Sequence, residues 1–175
     1  MMKRPPVPTS PSTNPPLPQS ATPSTIGERA VQILSKRLGE HETGRNTGKV
    51  VDWAVSPWTD ASPDETGWAK WCAGAACTAL MEAGSEDIKK VGSLSCKKLW
   101  RNCYEWGMVY MKPAASIVPQ VGDLVFFGKD APTHVGLLLS YDSTNHTVET
   151  IEGNSSDRVA KNTHHTFYGF ARVSK

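Results

Sequence analysis

The spacing of apolar residues changes halfway along this chain, and this change limits the fold more than any other feature. In the first half, apolar side chains recur at helical intervals in Ile26–Leu38, in Trp68–Ala83 and in a segment that starts at Ser93 or Ser95 and ends at Trp106. In the second half, short apolar runs are separated by turn residues, which is typical of strands. Helices followed by sequential strands predict an α+β domain, with N-terminal helices packed on a mostly antiparallel β-sheet.

Local signals mark the ends of the predicted helices. Thr25 can cap the first helix, with Glu28 three residues later in the capping-box position, and Gly39 stops it. The second helix is rich in Ala and Gly, so it is narrow enough to lie close against a sheet. Gly84 closes this helix, and Gly107 closes the third.

The remaining segments are predicted to be loops and strands. Residues 40–67 contain several Gly and Pro and are predicted to be loop, with Trp53, Val55 and Trp58 as packing anchors rather than ligand contacts. The predicted strands are Leu124–Phe127, His134–Tyr141, Thr147–Glu152 and one within Phe167–Val173.

The first 25 residues differ in composition from the rest of the chain. They contain eight prolines, four serines and four threonines. Such a segment has too few apolar groups to offset its ordering entropy, so an extended, mobile arm is expected. The expected organisation is a Pro/Ser/Thr-rich arm over residues 1–25 and one domain over residues 26–175, which is long enough to bury a core.

The charge balance and the hydropathy of the chain argue against a nucleic-acid partner and against a membrane span. The chain has 19 basic and 17 acidic residues, whereas a nucleic-acid binder usually has a clear basic excess. No apolar run approaches the roughly 18 residues of a membrane span, and prolines stand where a secretion signal needs its apolar region. We therefore expect no nucleic-acid partner, no membrane span, and release from the cytoplasm by a route other than a standard signal peptide.

A thiol, a histidine and two polar residues follow one another in an order that suits nucleophilic catalysis. Cys72 lies in the first turn or so of its predicted helix, where the helix dipole favours a thiolate. His134 begins an apolar strand and can form an ion pair with that thiolate. Glu152 and Asn154 end the next strand, and either can hold the imidazole in the correct tautomer. This order is similar to that of papain-like cysteine hydrolases.

Strand geometry supports this grouping. Side chains alternate along a strand, so Glu152 and Asn154 are expected on one face. His134 shares a face with Gly136, whose missing side chain leaves room for a neighbour. A polar group from the next strand can then reach the His134 ring if the two strands pair in this register.

Other sites are less well supported by the residues. His41 and His146 have turn-like contexts, and His164–His165 is predicted to be a loop pair without the accompanying ligands of a zinc site. No G-x-S-x-G motif supports a serine mechanism. We expect no metal and no cofactor. The other cysteines are interpreted as buried free thiols, namely Cys77, Cys96 and Cys103.

Four short motifs of this chain stand in a characteristic order. They are Trp71-Cys72-Ala73, Gly122-Asp123-Leu124-Val125-Phe126-Phe127, His134-Val135-Gly136 and Ile151-Glu152-Gly153-Asn154. Together they resemble the CHAP family (cysteine, histidine-dependent amidohydrolases/peptidases) and the related NlpC-type cell-wall peptidases. The resemblance extends over residues 26–175, and it implies a papain-like fold that cleaves amide bonds in the peptide part of bacterial peptidoglycan.

The resemblance also implies a role for each site residue. Cys72 is the nucleophile, and its backbone N–H contributes to the oxyanion hole. His134 is the general base and later the general acid. Glu152 matches the orienting carboxylate and Asn154 the polar residue near it, and we favour Glu152 as the direct partner of His134.

Substrate contacts, partners and location are expectations of the same kind. Trp68 and Trp71 either line the substrate groove or serve packing alone. The expected partners are peptidoglycan peptide stems and a delivery or immunity protein, and a monomer is expected. The protein would act in the periplasm or on the cell wall, as a phage lysin or a secreted antibacterial effector. The alternatives are a catalytically silent binding module and a thiol hydrolase with a protein substrate.

Overall fold

The computed structural model describes residues 25–58, 70–110 and 117–173. These residues form the α+β fold that the sequence predicted, with five helices and one six-stranded antiparallel sheet. The helices are α1 (Ile26–Ser35), α2 (Lys49–Val55), α3 (Cys72–Glu82), α4 (Glu86–Val91) and α5 (Cys96–Glu105). The strands are β1 (Val109–Tyr110), β2 (Leu124–Phe127), β3 (His134–Asp142), β4 (Thr147–Ser155), β5 (Arg158–His164) and β6 (Gly169–Ala171). The predicted arm up to Ser24, and Trp68, lie outside the described residues.

The sheet is a meander with one returning strand. Its order is β1-β6-β2-β3-β4-β5, in which β2 to β5 pair in sequence and β6 lies between β1 and β2. Along β2, Leu124 and Phe126 belong to the main core shared with the helices, whereas Val125 and Phe127 belong to a smaller, largely aromatic cluster. The helices therefore pack on one face of the sheet, and alternation along β2 separates the two clusters.

Helix α3 is the centre of the core. All nine residues from Cys72 to Leu80 are buried, and the helix packs against α1, α2, β3 and β4. Its short Ala and Gly side chains allow the close approach that the sequence predicted. At Gly74, for example, a β-carbon would lie 2.6 Å from the carbonyl oxygen of Ala54 in α2.

The predicted caps are present at two helices. At α1, Thr25 Oγ1 accepts from the Glu28 N–H, and Glu28 Oε2 accepts from the Thr25 N–H, which is the expected capping box. Ser95 caps α5. The first helix ends at Ser35 rather than at Leu38, where a turn replaces its last residues.

Two short helices were not predicted from the sequence. Helix α2 lies inside the predicted loop of residues 40–67, so that part of the prediction is wrong. Its first residue follows Gly48, which offers no capping side chain, and the helix buries Val50, Val51 and Ala54 in the main core. Helices this short are marginal alone, so tertiary packing rather than local sequence stabilises α2. Helix α4 was also missed, although Ser85 caps it.

Strand β5 corrects the interpretation of His164 as part of a loop pair. His164 is the last residue of β5, where it pairs with Val148 of β4. Apart from Val159, the residues of β5 are exposed or partly exposed, so the strand lacks the apolar alternation that identifies strands in a sequence. Strand β1 has two residues, too few to form a pattern.

The Gly122-Asp123 pair at the start of β2 has a structural role. Gly122 has a φ of +87°, and a β-carbon there would lie 2.1 Å from the Cα of Gly27, so α1 crosses the chain at contact distance. Asp123 is buried and accepts from the Tyr110 hydroxyl (2.6 Å) and from Arg172 Nε (2.9 Å) and Nη2 (2.8 Å). These bonds tie β1, β2 and β6 together at one end of the sheet.

Candidate active site

Cys72 is the first residue of α3, at a helix end that has no capping side chain. The N-cap residue, Trp71, makes no side-chain cap hydrogen bond. The N-termini of α1, α4 and α5 are instead capped by a Thr or Ser oxygen. The first amide N–H groups of α3 thus have no capping oxygen from the Trp71 side chain, and the helix dipole favours negative charge beside them.

The surroundings of Cys72 stabilise its thiolate. The pKa of the Cys72 thiol lies well below its usual value, chiefly because of a hydrogen bond with the Cys96 thiol. Burial opposes this shift, while hydrogen bonds from His134 and from the Ala73 backbone N–H support it. Cys72 is only 2% exposed, so bulk water contributes little to the stability of this charge.

His134 joins the thiol to a buried carboxylate. Its Nε2 lies 2.8 Å from Glu152 Oε2. An ionised carboxylate only accepts hydrogen bonds, so Nε2 carries the hydrogen and Nδ1 is left to exchange a proton with Cys72. Burial lowers the pKa of His134, but its hydrogen bonds and charge interactions with Cys72 and Glu152 outweigh burial and raise the pKa to about 10. The favoured state is thus a thiolate beside an imidazolium.

Glu152 is the most heavily hydrogen-bonded side chain of the site. Besides His134, its carboxylate accepts from Thr150 Oγ1, from Asn162 Nδ2 (2.9 Å) and from His164 Nε2 (2.6 Å). Burial raises the pKa of Glu152, but these bonds and that of His134 outweigh burial and lower it to about 2. The carboxylate therefore stays ionised although it is 2% exposed.

Thr150, Asn162 and His164 were not predicted as site residues. Thr150 lies two residues before Glu152 on β4, and cross-strand pairing places Asn162 of β5 opposite Thr150. Strand alternation identifies Thr150 once Glu152 is chosen. Asn162 and His164 follow only from the pairing of β5 with β4, which the sequence does not reveal.

Gly136 provides the space that the sequence analysis expected beside His134. A β-carbon at this position would lie 2.5 Å from Glu152 Cγ and 3.1 Å from the Ile151 carbonyl oxygen. The Glu152 side chain thus occupies the volume that any other residue at position 136 would need.

We expect Gly136→Ala to displace Glu152 and to destabilise the protein by about 1–3 kcal/mol, the usual cost of overpacking. Urea denaturation measures this loss, and iodoacetamide alkylation at pH 6 reports the accompanying fall in Cys72 reactivity. Ser140→Ala, an exposed position on the same strand, is the control and should change stability by less than about 0.5 kcal/mol. Wild-type alkylation and stability in Gly136→Ala would contradict this packing.

Among the described hydrogen bonds, none joins Asn154 to His134. The register between β4 and β5 shifts between Glu152 and Ser155, and Asn154 has a φ of 54°. This bulge ends the regular alternation that predicted a common face for Glu152 and Asn154. Among the described contacts, Glu152 is the hydrogen-bond partner of His134, and Asn154 lines a cavity beside the site.

Of the two roles left open for Trp71, groove lining and packing, the structure has the second. The ring is 0% exposed, lies against Gly153, and donates from Nε1 to Glu42 Oε2 (3.1 Å). The structure thus describes a packing contact for Trp71, and the substrate contact stays a prediction. Glu42 lies in the predicted loop, and this hydrogen bond attaches the loop to the residue that precedes Cys72.

Cys96 is one of the three cysteines that the sequence predicts to be buried free thiols. It is buried, as interpreted, but its Sγ lies 3.6 Å from Cys72 Sγ. Cys96 is also the first residue of its own helix, α5. Sequence spacing could not reveal this contact, because it depends on how the ends of α3 and α5 meet.

A cavity of about 970 Å³, the flanking cavity, is lined in part by residues that neighbour the site along the chain. Its lining includes Lys70, two residues before Cys72, and Asn154, two residues after Glu152, but not Cys72, His134 or Glu152. Among the described residues, four of the five non-glycine residues with positive φ line it, and two of them form the two-residue turn between β4 and β5. Those four are Asn46, Asn154, Ser156 and Asp157. The charged lining residues are Glu42, Arg45, Lys70, Asp157 and Arg158.

No family model and no curated protein matches this chain.

Among the described residues, no helix is both long and apolar enough to cross a membrane. The same residues contain no cluster of three or more His, Cys, Asp or Glu side chains suited to a metal ion.

Proposed function

We propose that this protein is a cysteine amidohydrolase or peptidase that cleaves amide bonds in the peptide stems of peptidoglycan. The observation that carries the proposal is the 2.8 Å bond between His134 Nε2 and the buried Glu152 carboxylate, together with the lowered pKa of the Cys72 thiol, to which His134 contributes. The Glu152 carboxylate favours the imidazolium form of His134, and the imidazolium favours the thiolate form of Cys72. A purely structural cysteine at the start of α3 would need neither the imidazole nor the carboxylate.

The proposed reaction proceeds through an acyl-enzyme. The Cys72 thiolate attacks the carbonyl carbon of the scissile amide, and the amide N–H groups at the start of α3 stabilise the oxyanion. The His134 imidazolium donates its Nδ1 proton to the leaving amine. Neutral His134 then takes a proton from water, which attacks the thioester and releases Cys72. Glu152 keeps the imidazole oriented and stabilises its charged form.

The choice of substrate and of a papain-like fold rests on the motif resemblance to CHAP domains. A nucleophile-bearing helix packed on an antiparallel sheet that bears the histidine and the carboxylate is consistent with that resemblance. The flanking cavity supports a peptide ligand, because its basic and acidic side chains match the carboxylate and amine groups of a stem peptide.

The test is digestion of purified peptidoglycan with the full chain, followed by mass spectrometry of the soluble products. We expect peptide or muropeptide fragments that carry a new amino terminus, and their masses identify the bond. A folded protein that releases no fragment over a range of peptidoglycan types would contradict the proposal. Fragmentation of an added protein instead would assign the same thiol chemistry to a protein substrate.

The proposed location follows from the substrate. The protein would act in the periplasm or on the cell wall, as a phage lysin or as a secreted antibacterial effector. In the second case the proline-rich arm would be the docking segment for a delivery partner, because extended proline-rich peptides bind with little ordering entropy.

The charges of the flanking cavity should affect substrate binding more than chemistry. We expect the double variant Lys70→Ala/Arg158→Ala to raise KM about tenfold, as the loss of charge-assisted contacts would do, with kcat within about twofold of the wild type. Initial rates on a soluble stem peptide measure both constants. Lys97→Ala, an exposed lysine on α5, is the matched control. A double variant with unchanged KM would exclude this cavity from substrate binding.

A further inference from the structure

The start of α3 faces a second thiol that the proposed hydrolysis does not require. Cys72 Sγ and Cys96 Sγ are 3.6 Å apart, close to van der Waals contact. Each cysteine is the first residue of its helix, so two helix N-termini meet at the sulfur pair. Both residues are buried, at 2% and 8% exposure, and neither is in a disulfide.

The two sulfurs have opposite protonation preferences. The pKa of Cys72 is lowered, first by the hydrogen bond from Cys96, whereas the pKa of Cys96 is raised by the same hydrogen bond and by burial. The pair therefore carries one proton, which stays on Cys96, and the Cys96 thiol donates a hydrogen bond to the Cys72 thiolate. A thiolate in contact with a thiol is the reactant arrangement for disulfide formation.

We propose that Cys72 and Cys96 form an oxidation site, at which a peroxide converts the nucleophile to a disulfide that a dithiol reductant restores. The inference goes beyond the proposed hydrolase activity, because it concerns the chemistry of the sulfurs and not the identity of the substrate. Its consequence is a protein that is active when reduced, inactive when oxidised, and protected from irreversible damage to Cys72.

The chemistry balances in two steps. The Cys72 thiolate attacks one oxygen of hydrogen peroxide, the O–O bond breaks, and the hydroxide that leaves takes up a proton to give water and a Cys72 sulfenic acid. Cys96 sulfur then attacks the Cys72 sulfur, the S–O bond breaks, and the oxygen leaves as water with the proton from the Cys96 thiol. In sum, two thiols lose two electrons and one peroxide becomes two waters.

Each of the other two cysteines has surroundings that do not suit this reaction. Cys77 Sγ donates to the Ser93 carbonyl oxygen at 3.8 Å. Burial raises the pKa of Cys103 to about 12, so this thiol stays protonated and reacts slowly with peroxide. Cys103 lies on α5, like Cys96, and is therefore a matched control position.

Two substitutions of Cys96 distinguish the effect of the disulfide from the effect of the hydrogen bond to Cys72. Cys96→Ser keeps a hydroxyl donor beside the Cys72 thiolate but cannot form a disulfide. Cys96→Ala removes both the donor and the disulfide. Cys103→Ala removes a buried thiol from the same helix without touching Cys72.

The experiment is treatment of the full chain with at least two equivalents of hydrogen peroxide, with intact-mass and peptide mapping and with iodoacetamide alkylation of Cys72 as the rate readout. In the wild type we expect loss of two hydrogens, a Cys72–Cys96 linked peptide, and at least about a tenfold fall in Cys72 alkylation that dithiothreitol reverses. Cys103→Ala should behave in the same way. Cys96→Ser should gain two oxygens at Cys72, and dithiothreitol should not reverse this change.

Both readouts follow sulfur chemistry, so they remain informative whether or not peptidoglycan is the substrate. A wild type that passes directly to irreversible Cys72 sulfinic acid, without a linked peptide, would overturn the proposal. A linked peptide that joins Cys72 to Cys77 or Cys103 would overturn it equally. The wild-type measurement decides the matter even if a Cys96 variant fails to fold.

Discussion

Replacement of Cys72 by Ala is expected to abolish the release of peptidoglycan fragments, with a loss of at least about a thousandfold in rate, as for removal of other covalent nucleophiles. The reason is that the thioester intermediate cannot form without Sγ. His134 and Glu152 would remain paired, but without nucleophilic attack there is no leaving amine for the imidazole to protonate. The measurement is the fragment yield over time from the same peptidoglycan preparation that the wild type digests.

The fold of this variant should be retained, because Ala is a good helix former and the lost side chain is small. Circular dichroism and urea denaturation check this point. Cys77→Ala is the control, since it removes a buried thiol from the same helix and should keep the wild-type rate. Fragment release by Cys72→Ala at the wild-type rate would refute Cys72 as the nucleophile.

The second large effect is expected at Glu152. In Glu152→Ala, His134, His164, Thr150 and Asn162 lose their common acceptor inside the sheet. Removal of one partner from a buried charged network destabilises proteins by about 3–5 kcal/mol, so this variant should unfold at much lower urea concentration. Glu149→Gln, an exposed carboxylate on the same strand, is the control and should change stability little. Equal midpoints for Glu152→Ala and wild type would show that the network does not stabilise the fold.

Glu152→Gln keeps the size of the side chain and tests its charge. The pKa of His134 is about 10 with Glu152 present, and activity that needs the imidazolium should fall as the pH rises through this value. Loss of the carboxylate charge lowers the His134 pKa, so the alkaline fall in rate should move to lower pH. A pH–rate profile with an unchanged alkaline limb would exclude Glu152 as the group that supports the imidazolium.

Glu152→Gln should also change how the stability of the protein depends on pH. The pKa of Glu152 is about 2 in the folded protein, against 4.5 for an ordinary glutamate. A lowered carboxyl pKa stabilises the folded state above pH 4.5, and this stabilisation is lost as the pH falls from 4.5 towards 2. Urea midpoints measured across this range should therefore decline more steeply for the wild type than for Glu152→Gln.

Local sequence determined a large part of this molecule. The capping box at Thr25, the Ser95 cap, the narrow α3 and the positions of β2, β3 and β4 follow from periodicity and from end signals that act within a few residues. The same local rules led to Cys72 at a helix start and to the space at Gly136, because both depend on neighbours in the chain.

Contacts between distant segments could not be derived in this way. Helix α2 and strand β5 have little apolar pattern of their own, so packing on α3 and pairing with β4 establish them. The bulge that separates Asn154 from Glu152 is likewise a property of the paired strands.

Some features of the site likewise follow from local sequence, and others follow only from the packing of distant segments. The sequence by itself determined the candidate residues Cys72, His134, Glu152 and Asn154, since residue type and order along the chain are sufficient to select them. Only the tertiary structure decided what surrounds them: His164 and Asn162 on the carboxylate, and Cys96 on the thiolate. Hydrogen bonds and sulfur contacts act over about 3–4 Å, and only the packed fold brings residues far apart in the chain to that distance.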